Sequence, residues 1–402
     1  MTLLPANPAI DYSPFDVVMN VDPYPTYKRL RDEAPIYYNE TYNFWALSRH
    51  ADVEAAFANW EVFSSSHGDI LEVVQSGMPI PRGVIMWQDP PEHTKHRNLL
   101  SKVFTPRRMA ALEDQVRLYC TRALDPFVGE ERFDFVEDLG REMPMRVIGM
   151  LLGIPEADQP AIRDRVDADL RTVPGQPMRP NADKLLKGEA FEEYIDWRAK
   201  HPADDLMTQL LVAEYEDDDG EKRRLTRQEV LTYTQVLAGA GNETTGRLIG
   251  WIGKVLGEHP EARRELRENP ALIPAAVDET LRYEPTGPHT ARWLAKDIEY
   301  YGVKVPAGSA ILLVAGAATR DARRYENPDT YDIHRTDGQH LIFGFGSHHC
   351  LGAALARLEG RIAMDEVLKR WADWENDYDN ISLAPTSTVR GWERLPVRLG
   401  RS

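Results

Sequence analysis

Ten residues, FGFGSHHCLG (Phe343–Gly352), set one of the chain's two cysteines behind two histidines on a stretch of alternating glycines. Cysteine acts as a nucleophile, as a metal ligand or, most often, as a small buried hydrophobe. Cys120, in LYCTRAL, reads as the last of these. Cys350 does not fit zinc. His348, His349 and Cys350 are consecutive and cannot converge on one ion, and no second cluster supplies the missing ligands. A nucleophile would need an oxyanion hole, and no such motif accompanies it. After Cys350 the sequence LGAALARLEGRIAMDEVLKRW has helical periodicity, which puts the sulfur at a helix N-terminus. There the free amides and the helix dipole favour thiolate over thiol. Gly344, Gly346 and Gly352 would let backbone lie against a planar macrocycle and aim N–H groups at the sulfur. A thiolate on haem iron accounts for every unusual residue, since it donates electron density that promotes O–O cleavage.

Three more stretches carry groups suited to chemistry. AGAGNETT (Ala238–Thr245) puts two glycines, each costing about 1 kcal/mol against alanine, inside a helical pattern. Close helix packing is one explanation. The other is a groove where a flat ligand meets backbone beside an acid, Glu243, and a hydroxyl, Thr244. In DPPEHTKHR (Asp89–Arg97), His93 and Arg97 are four apart and share a helix face. Together they suit a pair of carboxylates, or they are scattered bases on a surface helix. In ETLRYEP (Glu279–Pro285), Glu279 and Arg282 are one turn apart. Exposed, such a pair contributes only about 0.3 kcal/mol.

The elements that must position these groups are mainly helical. The longest pattern runs from Thr226 to about His259 and stops at Pro260; Thr226 with Glu229 forms a capping box. At 1.5 Å per residue it would be about 50 Å long. Tyr24, Tyr27 and Leu30 recur at helical spacing, and Pro106–Leu124 carries a longer pattern of the same kind. Short β-like runs occur at Ile36–Tyr38, Phe44–Leu47, Tyr300–Val305 and Ile311–Val314. Glu216–Lys222, EDDDGEK, reads as a solvated loop, and Val173–Asn181, VPGQPMRPN, as a break and mobile connection between helices. The expectation is a mainly α fold with small β-sheets, in a single domain over residues 1–402.

Composition narrows the function. The 48 Lys+Arg against 64 Asp+Glu leave a net charge of −16, poorly suited to nucleic acid or anionic lipid. No run of about 18 apolar residues spans a bilayer, and MTLLPANPAIDYSPFD has no signal-peptide pattern. Two cysteines suit a reducing compartment. A cytoplasmic protein that binds neither membrane nor nucleic acid is expected.

The chain resembles the soluble bacterial cytochromes P-450, haem-thiolate monooxygenases. Phe343, Gly344, Gly346, His348, Cys350 and Gly352 match every fixed position of the signature Phe-Gly-x-Gly-x-His-x-Cys-x-Gly. Ala240, Gly241, Glu243 and Thr244 match a second family element, and Glu279 with Arg282 a third. The resemblance implies a triangular helical prism around haem b, with Cys350 as iron ligand. It implies propionate contacts from His93, Arg97, Arg292 and His348, and makes Thr244 the hydroxyl that serves dioxygen and Glu243 a proton carrier. It makes Glu279 and Arg282 a buried structural pair. An arginine that many relatives add to this pair is missing from PDTY (Pro328–Tyr331), and Arg335 is the substitute. By family position the substrate pocket holds Val84, Ile85, Met86, Leu237, Pro288, His289 and Val389, which fits a small hydrophobic substrate. The implied reaction puts one atom of O2 into a C–H bond, with electrons from a ferredoxin and an FAD-dependent ferredoxin reductase. Lys95, Lys102, Arg107, Arg108, Arg357 and Arg361 form a candidate docking patch for that donor. The alternative is a haem-binding sensor or carrier without turnover.

Overall fold

The computed structural model describes residues 10–81, 83–181, 187–217, 219–337 and 339–400. Its axis is the helix Arg227–Glu258, here called the central helix. The expected capping box is present: Thr226 Oγ1 accepts from the Glu229 amide while the Glu229 carboxylate accepts from the Thr226 amide. Two donors that a helix start leaves orphaned are thereby satisfied. At the other end His259 leaves helical geometry and Pro260 opens the next helix. The central helix is buried on most of its circumference, because Met143–Leu152, Gln159–Leu170, Ile273–Tyr283 and Ala353–Arg370 pack around it.

Its glycines explain how neighbours come so close. A Cβ on Gly246 would stand 2.6 Å from the Gly140 carbonyl oxygen, and one on Gly253 would collide with the Phe135 ring. Both partners belong to Phe135–Gly140, a π-helical turn capped by the Asp134 carboxylate. Close packing also holds nearer the chemistry, where a Cβ on Gly241 would meet Ile148 at 3.2 Å.

A five-stranded sheet flanks the helices in the order Ile36–Asn39, Phe44–Leu47, Ala310–Leu313, Thr290–Leu294, Phe63–Ser64. Only the contact between Phe44–Leu47 and Ala310–Leu313 is parallel. All four residues of Phe44–Leu47 are buried, since apolar clusters cover both faces of the sheet: Phe44 and Ala46 join one, Trp45 and Leu47 the other. Such strands read as continuous apolar runs, not as alternation.

Two expectations change. The run Tyr300–Val305 is a hairpin, Ile298–Tyr300 with Val303–Val305, turned by Tyr301 and Gly302 at φ 53° and 77°. Pro106–Leu124 is two helices, Pro106–Ala110 and Glu113–Leu124. The charged stretch Glu216–Lys222 is solvated as expected over its described residues, and its two ends belong to paired strands, Glu214–Glu216 and Lys222–Arg224. Val173–Asn181 is non-helical as expected, and it is tied down: the Thr172 amide donates to the Pro385 carbonyl at 2.7 Å, and the Met178 amide to Glu72 Oε1 at 2.8 Å.

Candidate active site

The cysteine sits on a loop whose shape depends on two glycines. Gly344 and Gly346 adopt φ 70° and 72°, in the left-handed region that side chains disfavour. The Cys350 amide closes the loop by donating to the Phe343 carbonyl at 2.7 Å. Gly352 caps the helix Ala353–Arg370, so the sulfur faces the start of that helix. Cys350 is accessible only from inside: protein surrounds it, and it opens on a cavity of about 480 Å³. Burial pushes its thiol up, while the amides of Gly352 and Ala353 and the charges of Arg97 and Arg357 pull it back. A metal that takes the thiolate displaces the proton that burial retains.

Four bases gather beside this loop. The His93 and His348 rings lie 4.1 Å apart, and both nitrogens of His93 and Nε2 of His348 are buried without a partner. Burial holds both imidazoles neutral, His93 at about 4 and His348 at about 2, helped by Arg97 beside the first and Arg292 beside the second. Arg97 donates to the His349 carbonyl at 2.5 Å, and Arg292 to Thr290 Oγ1 and the Ala291 carbonyl at 3.1 and 2.7 Å. Neither arginine has an ion-pair partner among the described residues. Orphaned ring nitrogens between the half-buried Arg97 and the buried Arg292 make a cradle for anionic groups such as propionates. With the sulfur, the flat glycine loop and the cavity, this set fits haem.

Across the cavity lies the central helix. Thr244 Oγ1 donates to the Ala240 carbonyl at 2.7 Å, and the helix continues unbroken through this turn. Glu243 is buried, with Oε1 3.1 Å from Arg247 and Oε2 without a partner. Burial pushes its carboxyl up against the pull of Arg247. Arg247 in turn reaches Glu393 at 3.2 Å, and Glu393 pairs with the partly exposed Arg171. A line of charged groups thus joins the buried acid to the surface.

Of the residues expected in the pocket, Val84, Ile85, Met86, Leu237, His289 and Val389 line the cavity together with Ala240, Gly241, Phe343, Gly344 and Gly352. Pro288 does not. It stands behind that wall, its carbonyl accepting from the Gly316 amide at 2.7 Å. Glu279 and Arg282 are not a surface pair: both side chains are 2% exposed and share two 2.7 Å bonds. Arg335 completes the group at 3.3 Å from Glu279 Oε1, and Arg282 also ties the carbonyls of Thr319, Pro328 and Thr330. In the docking patch, Arg357 pairs with Asp278 at 2.7 Å and covers the Phe343 ring, and Arg361 donates to the Arg357 carbonyl at 3.3 Å.

Besides Asp69, two cavity-lining acids escaped the sequence reading. Glu359 is 1% exposed with Oε2 unpartnered, and burial pushes it well above the usual carboxylate range. Glu72 is 7% exposed. Their signal was present: Glu72 interrupts ILEVV, and Glu359 falls on the apolar stripe of its helix, between Leu355 and Ile362.

Comparison with known proteins accounts for this arrangement. The cytochrome P450 family model matches residues 181–376. The chain is 38% identical over 402 residues, 99% of each sequence, to "Putative cytochrome P450 123" of Mycobacterium tuberculosis. It is 35% identical over 387 residues, 93% of each sequence, to "Erythromycin C-12 hydroxylase" of Saccharopolyspora erythraea. A solved mutant of P450 EryK in complex with erythromycin B has a TM-score of 0.86 at 31% identity, covering 96% of this chain and 98% of that one. Likeness of this extent, in sequence and in fold, spans the cysteine loop and the central helix alike, and this chain belongs to the cytochrome P450 family of haem b monooxygenases.

Proposed function

We propose that Cys350 ligates the haem iron, that His93, Arg97, Arg292 and His348 hold the propionates, and that Thr244 and Glu243 serve dioxygen. One observation carries this reading: the Cys350 sulfur and the Thr244 hydroxyl face a single cavity that also holds the partnerless nitrogens of His93 and His348. Haem, when bound, supplies the chemistry that moves one atom of O2 into a C–H bond. The chain does the rest. Thr244 Oγ1 can turn from the Ala240 carbonyl and donate into the cavity, giving up one neutral hydrogen bond worth about 1 kcal/mol. Glu243 holds a proton at Oε2, while Arg247, bonded to its Oε1 and paired with Glu393, orients that carboxyl. Ile85, Phe104, Ile148, Leu237 and Val389 exclude water and orient a small hydrophobic substrate.

The work is done by one folded unit in the cytoplasm, with electrons from a ferredoxin and an FAD-dependent ferredoxin reductase. Exposed Arg107 and Arg108, with Arg361, offer that acidic donor a basic face despite the overall negative charge. Arg361→Glu slows electron transfer and flattens its salt dependence; rates that stay the same at every salt concentration would remove the patch. Cys350→Ala is the central test. It abolishes the thiolate spectrum, whereas a reduced carbon monoxide band that keeps its family position in this variant refutes the ligand assignment. Steady product formation with a ferredoxin system separates an enzyme from a sensor or carrier.

A further inference from the structure

Among the described residues, four carboxyl groups line the cavity: Asp69, Glu72, Glu243 and Glu359. Three are accounted for. Asp69 accepts from Trp87 Nε1 at 2.6 Å and lies in the field of Arg292. Glu243 pairs with Arg247. Glu359 is held neutral by burial. Glu72 is different. Its Oε1 accepts twice, from the Met178 amide and from Ser387 Oγ, both at 2.8 Å. Its Oε2 has no hydrogen-bond partner among the described residues, yet it is not sealed off as the orphaned Oε2 of Glu359 is. The residue as a whole is 7% exposed and part of the cavity wall, so this oxygen meets the cavity. No cation among the described residues comes within ion-pair distance.

Two bonds to one oxygen fix the carboxylate in place. They join three segments that meet far from the cysteine loop in sequence: the helix Leu71–Ser76, the stretch before Asn181, and the turn near Val389. A charge held this way in apolar surroundings is costly unless something of opposite sign completes it. Among the described residues that line the cavity, the arginines without an ion pair are Arg97 and Arg292, and they stand with His93 and His348 at the propionate cradle. Completion therefore falls to the ligand.

We infer that Glu72 is a specificity-determining residue that selects apolar substrates carrying a protonated amine. This rests on the reading of the cavity as a haem and substrate site. The amine donates to Glu72 Oε2, and the apolar remainder packs along Val84, Ile85 and Leu237. A charge-assisted bond in a site that excludes water discriminates strongly against a neutral analogue.

The test uses the haem-loaded full chain and two matched probes, N,N-dimethyldecylamine and 1-decanol, titrated by the Soret shift that reports displacement of iron-bound water. Wild type binds the amine roughly tenfold or more tighter than the alcohol. Glu72→Gln, which keeps an accepting oxygen but removes the charge, lowers amine affinity about tenfold and leaves the alcohol within about twofold. Ser387→Ala, which loosens the carboxylate but keeps its charge, retains the preference, as does Glu72→Asp if the glutamine variant fails to fold. Equal affinities in wild type overturn the proposal. So does a preference that survives in Glu72→Gln, one lost equally in Ser387→Ala, or a red shift showing the amine nitrogen on iron. The reduced carbon monoxide band is recorded for every sample. Its absence from wild type would count against the haem-thiolate reading itself, not against the role of Glu72.

Discussion

At position 244 a single hydroxyl proton can serve only one acceptor at a time. Bonded to the Ala240 carbonyl at 2.7 Å it is a donor within the helix; turned, it is a donor to the cavity. Removing it leaves the cradle and the sulfur untouched. Thr244→Ala therefore binds haem and apolar ligands normally but diverts electrons to hydrogen peroxide, measured as NADH consumed per product formed; unchanged coupling would remove the role. His289 offers a second reading at this scale. It contacts the Ser387 carbonyl through Nε2 at 3.0 Å, and burial lowers it to about 4. The unfolded residue titrates near 6.5, so between those values the unfolded chain takes up a proton that the folded one refuses. Its contribution to stability is complete above about pH 6.5 and is lost as pH falls through about 4. Thermal midpoints of His289→Gln should accordingly fall less than those of wild type across that window. Residues whose chemistry fixes their spacing, such as Cys350 with its glycines, were legible in the sequence. Glu72 and Glu359 left only a weak trace there, an acid within an apolar pattern, because a helical glutamate looks solvated until the fold shows what covers it.

Among the elements, the central helix carries a cost and its explanation side by side. Gly246→Ala improves intrinsic helix propensity by about 1 kcal/mol but drives a methyl toward the Gly140 carbonyl, a clash in the class that costs about 1–3 kcal/mol. The net result is a lower thermal midpoint and altered ligand-induced spectra, because Gly246 is only two residues from Thr244. Thr226→Ala removes the cap for about 1 kcal/mol and leaves those spectra alone. If both variants shift the spectra equally, helix position is not what the glycine contact controls. Both ends of this helix were readable, since caps and prolines are local signals. The turn at Tyr301 and Gly302 was missed for the opposite reason: a bulky residue at φ 53° is uncommon, and nothing local announces it. The π-helical turn Phe135–Gly140 likewise exists because of what packs on it.

For the molecule as a whole, the group Glu279, Arg282 and Arg335 joins the helix Ile273–Tyr283 to the segment that leads into the cysteine loop. Glu279→Ala strands a buried Arg282 and should cost about 3–5 kcal/mol, with loss of haem content on purification. Arg335→Ala leaves the inner pair intact and should cost clearly less. Equal losses would mean that the outer arginine matters as much as the pair. That Arg335 could replace an arginine absent from PDTY was readable; that it reaches the same carboxylate became clear only in three dimensions. The backbone contact between Gly140 and Gly246 has a bearing on how such a protein diversifies. With its back fixed so tightly, the central helix offers natural selection little room for drift. New preferences must then arise on the facing wall, and a mutant library aimed at residues 70–74, 84–86 and 386–389 should yield more viable variants than one aimed at 135–140.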